Sequence, residues 1–416
     1  MEEIRPISHG DIQDVVRITA MAYPGSSLLA PENSQRFAER VRDTLENDPH
    51  ASFHGLFREN LLVGVMKWYD FPMNVHGIQL LTGGIGSVAV DLLHKKEKVA
   101  KAMLQGFLAT YRERGVSLVS LYPFRVDFYK KMGFGVGSKL HQYRIRPASL
   151  PFTAKDKVHY LTDADREQIL ACYHRIVRQT HGMVKKTDRE LKSFLEQPGL
   201  IVVGSKKEEK VSGYLAFQFQ SAHEDNRLQS DIVVKEFLYE TPEAMAQLLS
   251  FLHTQSDQVQ RVVLTTADDD FHLLLSDPGN GTDRLIPSVY HESHVSGVGL
   301  MYRVIDVPCF FHQLSRRRFG QESCLLRLRI RDSFLPENDG SWLIAFREGL
   351  PDVVEAGQPD VEMTLDISDF SSLAMGAVSL RKLHQYGLVQ LSDDKLLPLL
   401  DNMFAVDEKP RCTTPF

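Results

Sequence analysis

The sequence predicts a chain of mixed class, α/β and α+β, built in three modules. Residues 87–134 read as strand, turn, amphipathic helix and strand, which is a βαβ unit. From about residue 151 a comparable succession of helices and hairpin strands starts again, and from about residue 296 the pattern changes to alternating strands with short amphipathic helices. A length of 416 residues suits two or three compact units of about 100–200 residues each. The expected division is 1–150, 151–295 and 296–416.

In the first module a strand is expected over 4–7. His9-Gly10-Asp11-Ile12 then leads into a helix with apolar residues at Ile12, Val15, Val16 and Ile18. Tyr23-Pro24-Gly25-Ser26-Ser27 breaks that pattern as a mobile connection, and 33–45 gives a second helix. Strands over 52–57 and 61–69 flank Arg58-Glu59-Asn60 as a hairpin. A long strand over 78–90 follows. Its Gly83-Gly84-Ile85-Gly86 allows a bulge or the close approach of a ligand. The helix after the turn at 94–98 carries Val99, Met103, Phe107 and Tyr111 every four residues, with Ala100, Leu104 and Leu108 alongside, and Gly115 stops it. A strand over 116–122 completes the order β-α-α-β-β-β-α-β.

The second module starts a helix at Leu161-Thr162-Asp163-Ala164-Asp165 and closes another at 194–198. It pairs strands 200–204 and 211–219 around the turn 205–210, and adds a strand over 230–240 and a helix over 242–253. The turn into that helix, Tyr239-Glu240-Thr241-Pro242-Glu243, has no basic charge, and Glu240 and Glu243 are expected to satisfy the helix N-terminus themselves. The third module has strands over 325–330, 341–347 and 361–367, and helices over 367–375, 379–385 and 395–402.

A net charge of −6 offers no general attraction to nucleic acid or anionic lipid, so neither is an expected partner. No apolar run approaches the length of a membrane span, and Met1-Glu2-Glu3-Ile4-Arg5 is too polar for a signal peptide, so a cytoplasmic protein is expected. Cys172, Cys309, Cys324 and Cys412 are scattered without Cys-x-x-Cys spacing, and the histidines show no ligand pattern; no metal is expected.

The chemistry concentrates between residues 87 and 135. A helix N-terminus presents unpaired N–H groups and partial positive charge, and so accepts a phosphate. Lys95, Lys96, Lys98 and Lys101 crowd that same end, where cations oppose the helix dipole unless an anion sits among them. A solvated charge run on a surface helix is the other reading of the same lysines.

Lys95-Lys96-Glu97-Lys98-Val99-Ala100 resembles the Arg/Gln-x-x-Gly-x-Gly/Ala turn of the GNAT N-acetyltransferases. Lys95 stands in place of Arg or Gln, and Lys98 in place of the middle glycine. Phe128-Tyr129-x-x-x-Gly133-Phe134 resembles the family's aromatic-Tyr-x-x-x-Gly-Phe/Tyr signature. The close of the chain on Pro415-Phe416 is similar to three-domain members of the Eis (enhanced intracellular survival) type. The resemblance implies two tandem GNAT folds, the second degenerate and without cofactor, followed by a sterol-carrier-protein-like α+β domain. It implies acetyl-CoA as co-substrate, with the backbone of Val88, Ala89 and Val90 aligning the pantetheine arm. Lys95, Lys96, Glu97, Lys98, Val99, Ala100 and Lys101 would surround the pyrophosphate, and Phe124 and Arg125 would border the cofactor. Tyr129 would be the general acid and the carboxylate of Phe416 the base, in direct transfer of an acetyl group to a primary amine of aminoglycoside, polyamine or lysine type. A homo-oligomer, with a hexamer as the expected form, is implied as well. The competing function class is a binding protein: a lipid or acyl carrier whose first module senses CoA without turnover.

Overall fold

The computed structural model describes residues 2–208, 210–222, 229–280, 285–286 and 290–416. Glu209, part of the expected turn 205–210, lies outside them. The chain divides into two compact units, one of Met1–Gly137, Leu300–Pro410 and Pro415–Phe416, the other of Ser138–Gly299 and Arg411–Thr414.

The first unit holds two sheets. Its larger one is built from β1 (Glu2–Pro6), β2 (Ala51–Arg58), β3 (Leu61–Val75), β4 (Ile78–Val90), β5 (Leu118–Leu121) and β6 (Gly135–Val136), with helices α1 (Ile12–Ala22), α2 (Pro31–Asn47), α3 (Val99–Glu113) and α4 (Val126–Lys130). The strand order is β1-β2-β3-β4-β5, then the strand Met301–Val304, then β6. Only β4 and β5 run parallel. The predicted stripe of α3 faces the core: Val99, Met103, Leu104, Phe107, Leu108 and Tyr111 are all buried beneath the sheet with Trp68, Ile85 and Val119. Burying each such large apolar side chain stabilises the fold by about 1.5–3 kcal/mol.

The smaller sheet has five strands in the order Leu350–Val354, Gly340–Arg347, Cys324–Arg331, Val361–Asp366, Val389–Leu391. Its helix Ile367–Ala374 is buried along its whole length and packs on β6 and on Met301–Val304. There the Val304 N–H donates to Ser371 Oγ at 3.0 Å, and Gly135 leaves no room for a methyl against Ser368 O.

The second unit is a seven-stranded sheet ordered Val295–Val298, Lys139–Ile145, Val259–Thr266, Ser230–Tyr239, Lys210–Ser221, Ile201–Lys207, Val158–Tyr160, with helices Arg166–Gln179, Asp188–Leu195 and Pro242–His253. The last of these is capped by Thr241, whose hydroxyl accepts from the Ala244 N–H. Glu243 joins that cap: hydrogen bonds from its own backbone and from Thr241 lower its pKa. Glu240 does not take part as expected. Its carboxylate turns to Arg175 on helix Arg166–Gln179 at 2.5 Å, a partner 65 residues away that local spacing does not reveal. Deeper in this unit a buried Lys186–Glu236 ion pair is joined by Tyr214, whose hydroxyl donates to Glu236 at 2.7 Å. Tyr173 donates to Val184 O at 2.8 Å and meets the Thr414 hydroxyl at 2.9 Å.

Two strands lie in a sheet other than the one their place in the chain suggests. Lys139–Ile145 pairs within the second unit, and Met301–Val304 pairs with β5 and β6 in the first. β5 is only four residues long and meets β4 over two residue pairs, so its other edge needs a partner to satisfy its backbone groups.

Candidate active site

β4 organises the site. Along β3 its register slips where Val65 opposes Ala89 but Lys67 opposes Gly86, so Ser87 and Val88 together face Met66. This is a β-bulge, and Ser87 turns through φ +50° to make it. On its other side β4 pairs with β5 only at Gly83 and Gly84. Beyond Gly84 the two parallel strands have no further pairing, which leaves the backbone of Val88, Ala89 and Val90 without a strand partner on that side. The side chain of Ala89 is buried and those of Val88 and Val90 pack into the core, so backbone is what these three residues offer. The Tyr23 hydroxyl, at the end of α1, donates to the Val88 carbonyl at 2.7 Å.

After β4 the chain makes the lysine turn. Asp91 accepts from the Leu93 N–H at 2.9 Å and from Arg17 at 2.6 Å. Burial raises the Asp91 pKa, but these bonds outweigh it and hold the carboxyl below its ordinary value. Lys96 and Lys98 both take left-handed backbone, φ +66° and +63°. Lys98 thus keeps the conformation for which glycine is the default residue, and the turn retains its shape without one. It is also the N-cap of α3, and no side chain caps that end. The first intrahelical bond from this end runs from Ala102 N–H to Lys98 O at 3.0 Å, so the preceding N–H groups, through Lys101, have no helical acceptor. Lys95, Lys96, Lys98 and Lys101 are exposed around them, while Ala100 is half-buried and the Val99 side chain lies in the core. The Glu97 carboxylate is engaged by Arg58 and, at 3.1 Å, by His94, and the Glu97 carbonyl accepts from Arg58 at 3.2 Å, which pins the turn. The donors here fit a diphosphate: free amides, left-handed turns that aim them, and four cations.

Tyr129 stands on α4, buried among Phe124, Phe128 and Phe134 with ring centroids 5.5, 5.2 and 5.9 Å away. Among the described residues no hydrogen bond engages its hydroxyl. Burial, and the neighbouring Tyr23, push its pKa well above that of a free phenol. Phe124 is exposed over most of its ring. Arg125 is also exposed and forks onto its neighbour Asp127 at 3.1 and 2.5 Å, which is the ordinary behaviour of a surface cation.

Phe416 lies over β4 on the face of Gly84 and Gly86. A methyl on Gly84 would meet its ring at 3.1 Å, and one on Gly86 would meet its backbone carbon and oxygen at 3.2 and 3.3 Å. Tyr69, Phe71 and Tyr122 surround that ring with centroids 5.5, 4.7 and 5.3 Å away. The close approach that the glycine run allowed is therefore made by the chain's own last residue. The aromatic surround escaped notice in the sequence, and Tyr23 stood out there only as the start of a connection, not as a partner of Val88. Alternation of Tyr69 and Phe71 along a strand was the one available signal, and it looks like core.

Comparison with known proteins agrees with this architecture. Residues 3–137 match an acetyltransferase (GNAT) domain, residues 158–303 a second acetyltransferase (GNAT) domain, and residues 312–413 a sterol carrier protein domain. An uncharacterized N-acetyltransferase of Streptomyces avermitilis is 24% identical over 358 residues, which cover 81% of this chain and 82% of that one. In fold, the chain is similar to a GCN5-related N-acetyltransferase from Anabaena variabilis (TM-score 0.81, 19% identity) and to Eis1 from Mycobacterium abscessus (TM-score 0.77, 18% identity). Both are covered over 100% of either chain. With acetyltransferase (GNAT) domains matched over residues 3–137 and 158–303, ahead of a sterol carrier protein domain, the chain belongs to the GNAT N-acetyltransferases.

Proposed function

We propose that this N-acetyltransferase transfers an acetyl group from acetyl-CoA directly to a primary amine of aminoglycoside, polyamine or lysine type, with Tyr129 as general acid and the carboxylate of Phe416 as base. The observation that carries the reading is the placement of two groups along one strand: the backbone of Phe416 against Gly86, and the open edge Val88–Val90 two residues further on. Acetyl-CoA supplies the thioester. The turn from Lys95 to Lys101 binds its diphosphate through the free amides of α3, and the edge of Val88, Ala89 and Val90 aligns the arm as an added strand. The Phe416 carboxylate holds the cationic acceptor and takes the proton that leaves the attacking nitrogen, directly or through water. As the carbon–sulfur bond breaks, the Tyr129 phenol gives its proton to the departing sulfur. Its raised pKa keeps that proton in place at neutral and mildly alkaline pH. In this reading 1–150 is the cofactor-binding module, 151–295 scaffold, and 296–416 the module that carries the tail, within a homo-oligomer.

Tyr129→Phe is expected to lower kcat by roughly 100-fold, the low end for a general acid, with the acetyl-CoA KM changed less than twofold. Release of free CoA with an amine panel reads this out, and an unchanged kcat removes Tyr129 from the mechanism. Extending the chain by a few residues past Phe416 converts its carboxylate to an amide and is expected to abolish turnover while CoA still binds. Full activity of the extended chain dismisses the base.

A further inference from the structure

We propose that Arg303 is a positioning residue for Tyr129, a role that rests on the reading of Tyr129 as the acid. Arg303 belongs to the strand Met301–Val304, about 170 residues beyond α4, and its side chain is fully buried. One guanidinium nitrogen, Nη1, donates to the Met132 carbonyl at 2.5 Å. The other, Nη2, forks onto both carboxylate oxygens of Asp332 at 2.9 and 2.7 Å. Asp332 is equally buried and is itself held by the N–H groups of Phe334 and Leu335 and by Asn338 Nδ2. The guanidinium is thus fixed from behind and presses forward on one carbonyl.

That carbonyl sits in the turn that carries the phenol. The Tyr129 carbonyl accepts from the N–H of Met132 at 2.9 Å and of Phe134 at 3.1 Å, which closes residues 129–134 into one tight loop. Gly133, the signature glycine, lies inside it at φ +81°, and a methyl there would overlap the Arg303 guanidinium. This glycine therefore serves two ends, the left-handed turn and the entry of the arginine. The rings of Phe124, Phe128 and Phe134 pack the Tyr129 side chain, but α4 itself adds little to fix the turn behind it: the helix is only five residues long and has no side-chain cap. A buried charge pair is weak evidence for stability, because desolvation offsets the attraction. Its geometric effect is the stronger one here, since the planar fork leaves the Met132 carbonyl a single place to be.

Arg303→Lys keeps the charge and removes the fork. In the full chain it is expected to lower kcat about tenfold or more, leave the acetyl-CoA KM within twofold, and cost nothing further in kcat when Tyr129 is already Phe. An equal loss in the Tyr129→Phe background overturns the proposal. A second readout does not depend on turnover: with 3-fluorotyrosine at position 129, Arg303→Lys is expected to shift or broaden the fluorine resonance, and an unmoved line in the folded variant overturns the proposal. Should Tyr129→Phe itself retain full kcat, the acid reading fails while the fluorine line still decides whether Arg303 positions the ring. If Arg303→Lys does not fold, the neutral pair Arg303→Gln with Asp332→Asn is judged by the same fluorine criterion.

Discussion

At Lys98 the backbone sits at φ +63°, ψ 14°, a region that costs an L-residue roughly 1–2 kcal/mol. Strain of this kind persists where surrounding contacts over-determine it. Here the Arg58–Glu97 pair on one side and the Asp91 cap on the other hold the turn. Asp91 gives this a pH signature. Its folded pKa lies below the unfolded value, so its contribution is complete above about pH 4 and is lost as pH falls through the folded value. Asp91→Ala is expected to cost about 1–2 kcal/mol at pH 7 by losing the cap and the Arg17 bond. In urea melts that difference should shrink below pH 4, and a pH-independent difference would assign the loss to packing. Residues of this kind divide by what declares them in sequence. Tyr129 and Gly133 stood in a fixed local spacing and could be picked out, whereas nothing local singles out Arg303, because its partners Met132 and Asp332 come from elsewhere in the chain.

β4 does its work by what it lacks. Glycine at 84 and 86 clears one face for Phe416, and the absence of pairing with β5 beyond Gly84 clears one edge. Elements with a strong local signal were readable in advance: α3 buries the stripe assigned to it, and the β2–β3 hairpin forms around Arg58-Glu59-Asn60 as expected. What period could not supply was pairing between distant segments, such as the helix Ile367–Ala374 lying on β6. The seam between those two elements is close-packed at Gly135, where an added methyl strikes the Ser368 carbonyl and the Ser372 side chain. Backbone cannot step aside as a flexible side chain does. Gly135→Ala is therefore expected to destabilise the first unit by about 1–3 kcal/mol, measured as a fall in the urea midpoint at constant slope. A midpoint equal to that of the parent chain would mean the helix slides freely.

At the scale of the molecule, sequence neighbours and sheet neighbours part company. The first sheet takes its penultimate strand, Met301–Val304, from beyond the whole of the second sheet, and β6 pairs with nothing else in that sheet. A fragment of residues 1–150 leaves β5 and β6 without that strand between them. It is expected to lack a cooperative thermal transition, and a sharp melt at the temperature of the full chain would contradict this. Synthesis in the cell meets the same constraint. At about 5–20 residues per second a ribosome needs roughly 10–40 s to pass from Leu121, the end of β5, to Val304. For that interval the nascent amino-terminal half emerges with an open β5 edge, a template for wrong pairing that calls for a chaperone's cover until its missing strand leaves the exit tunnel.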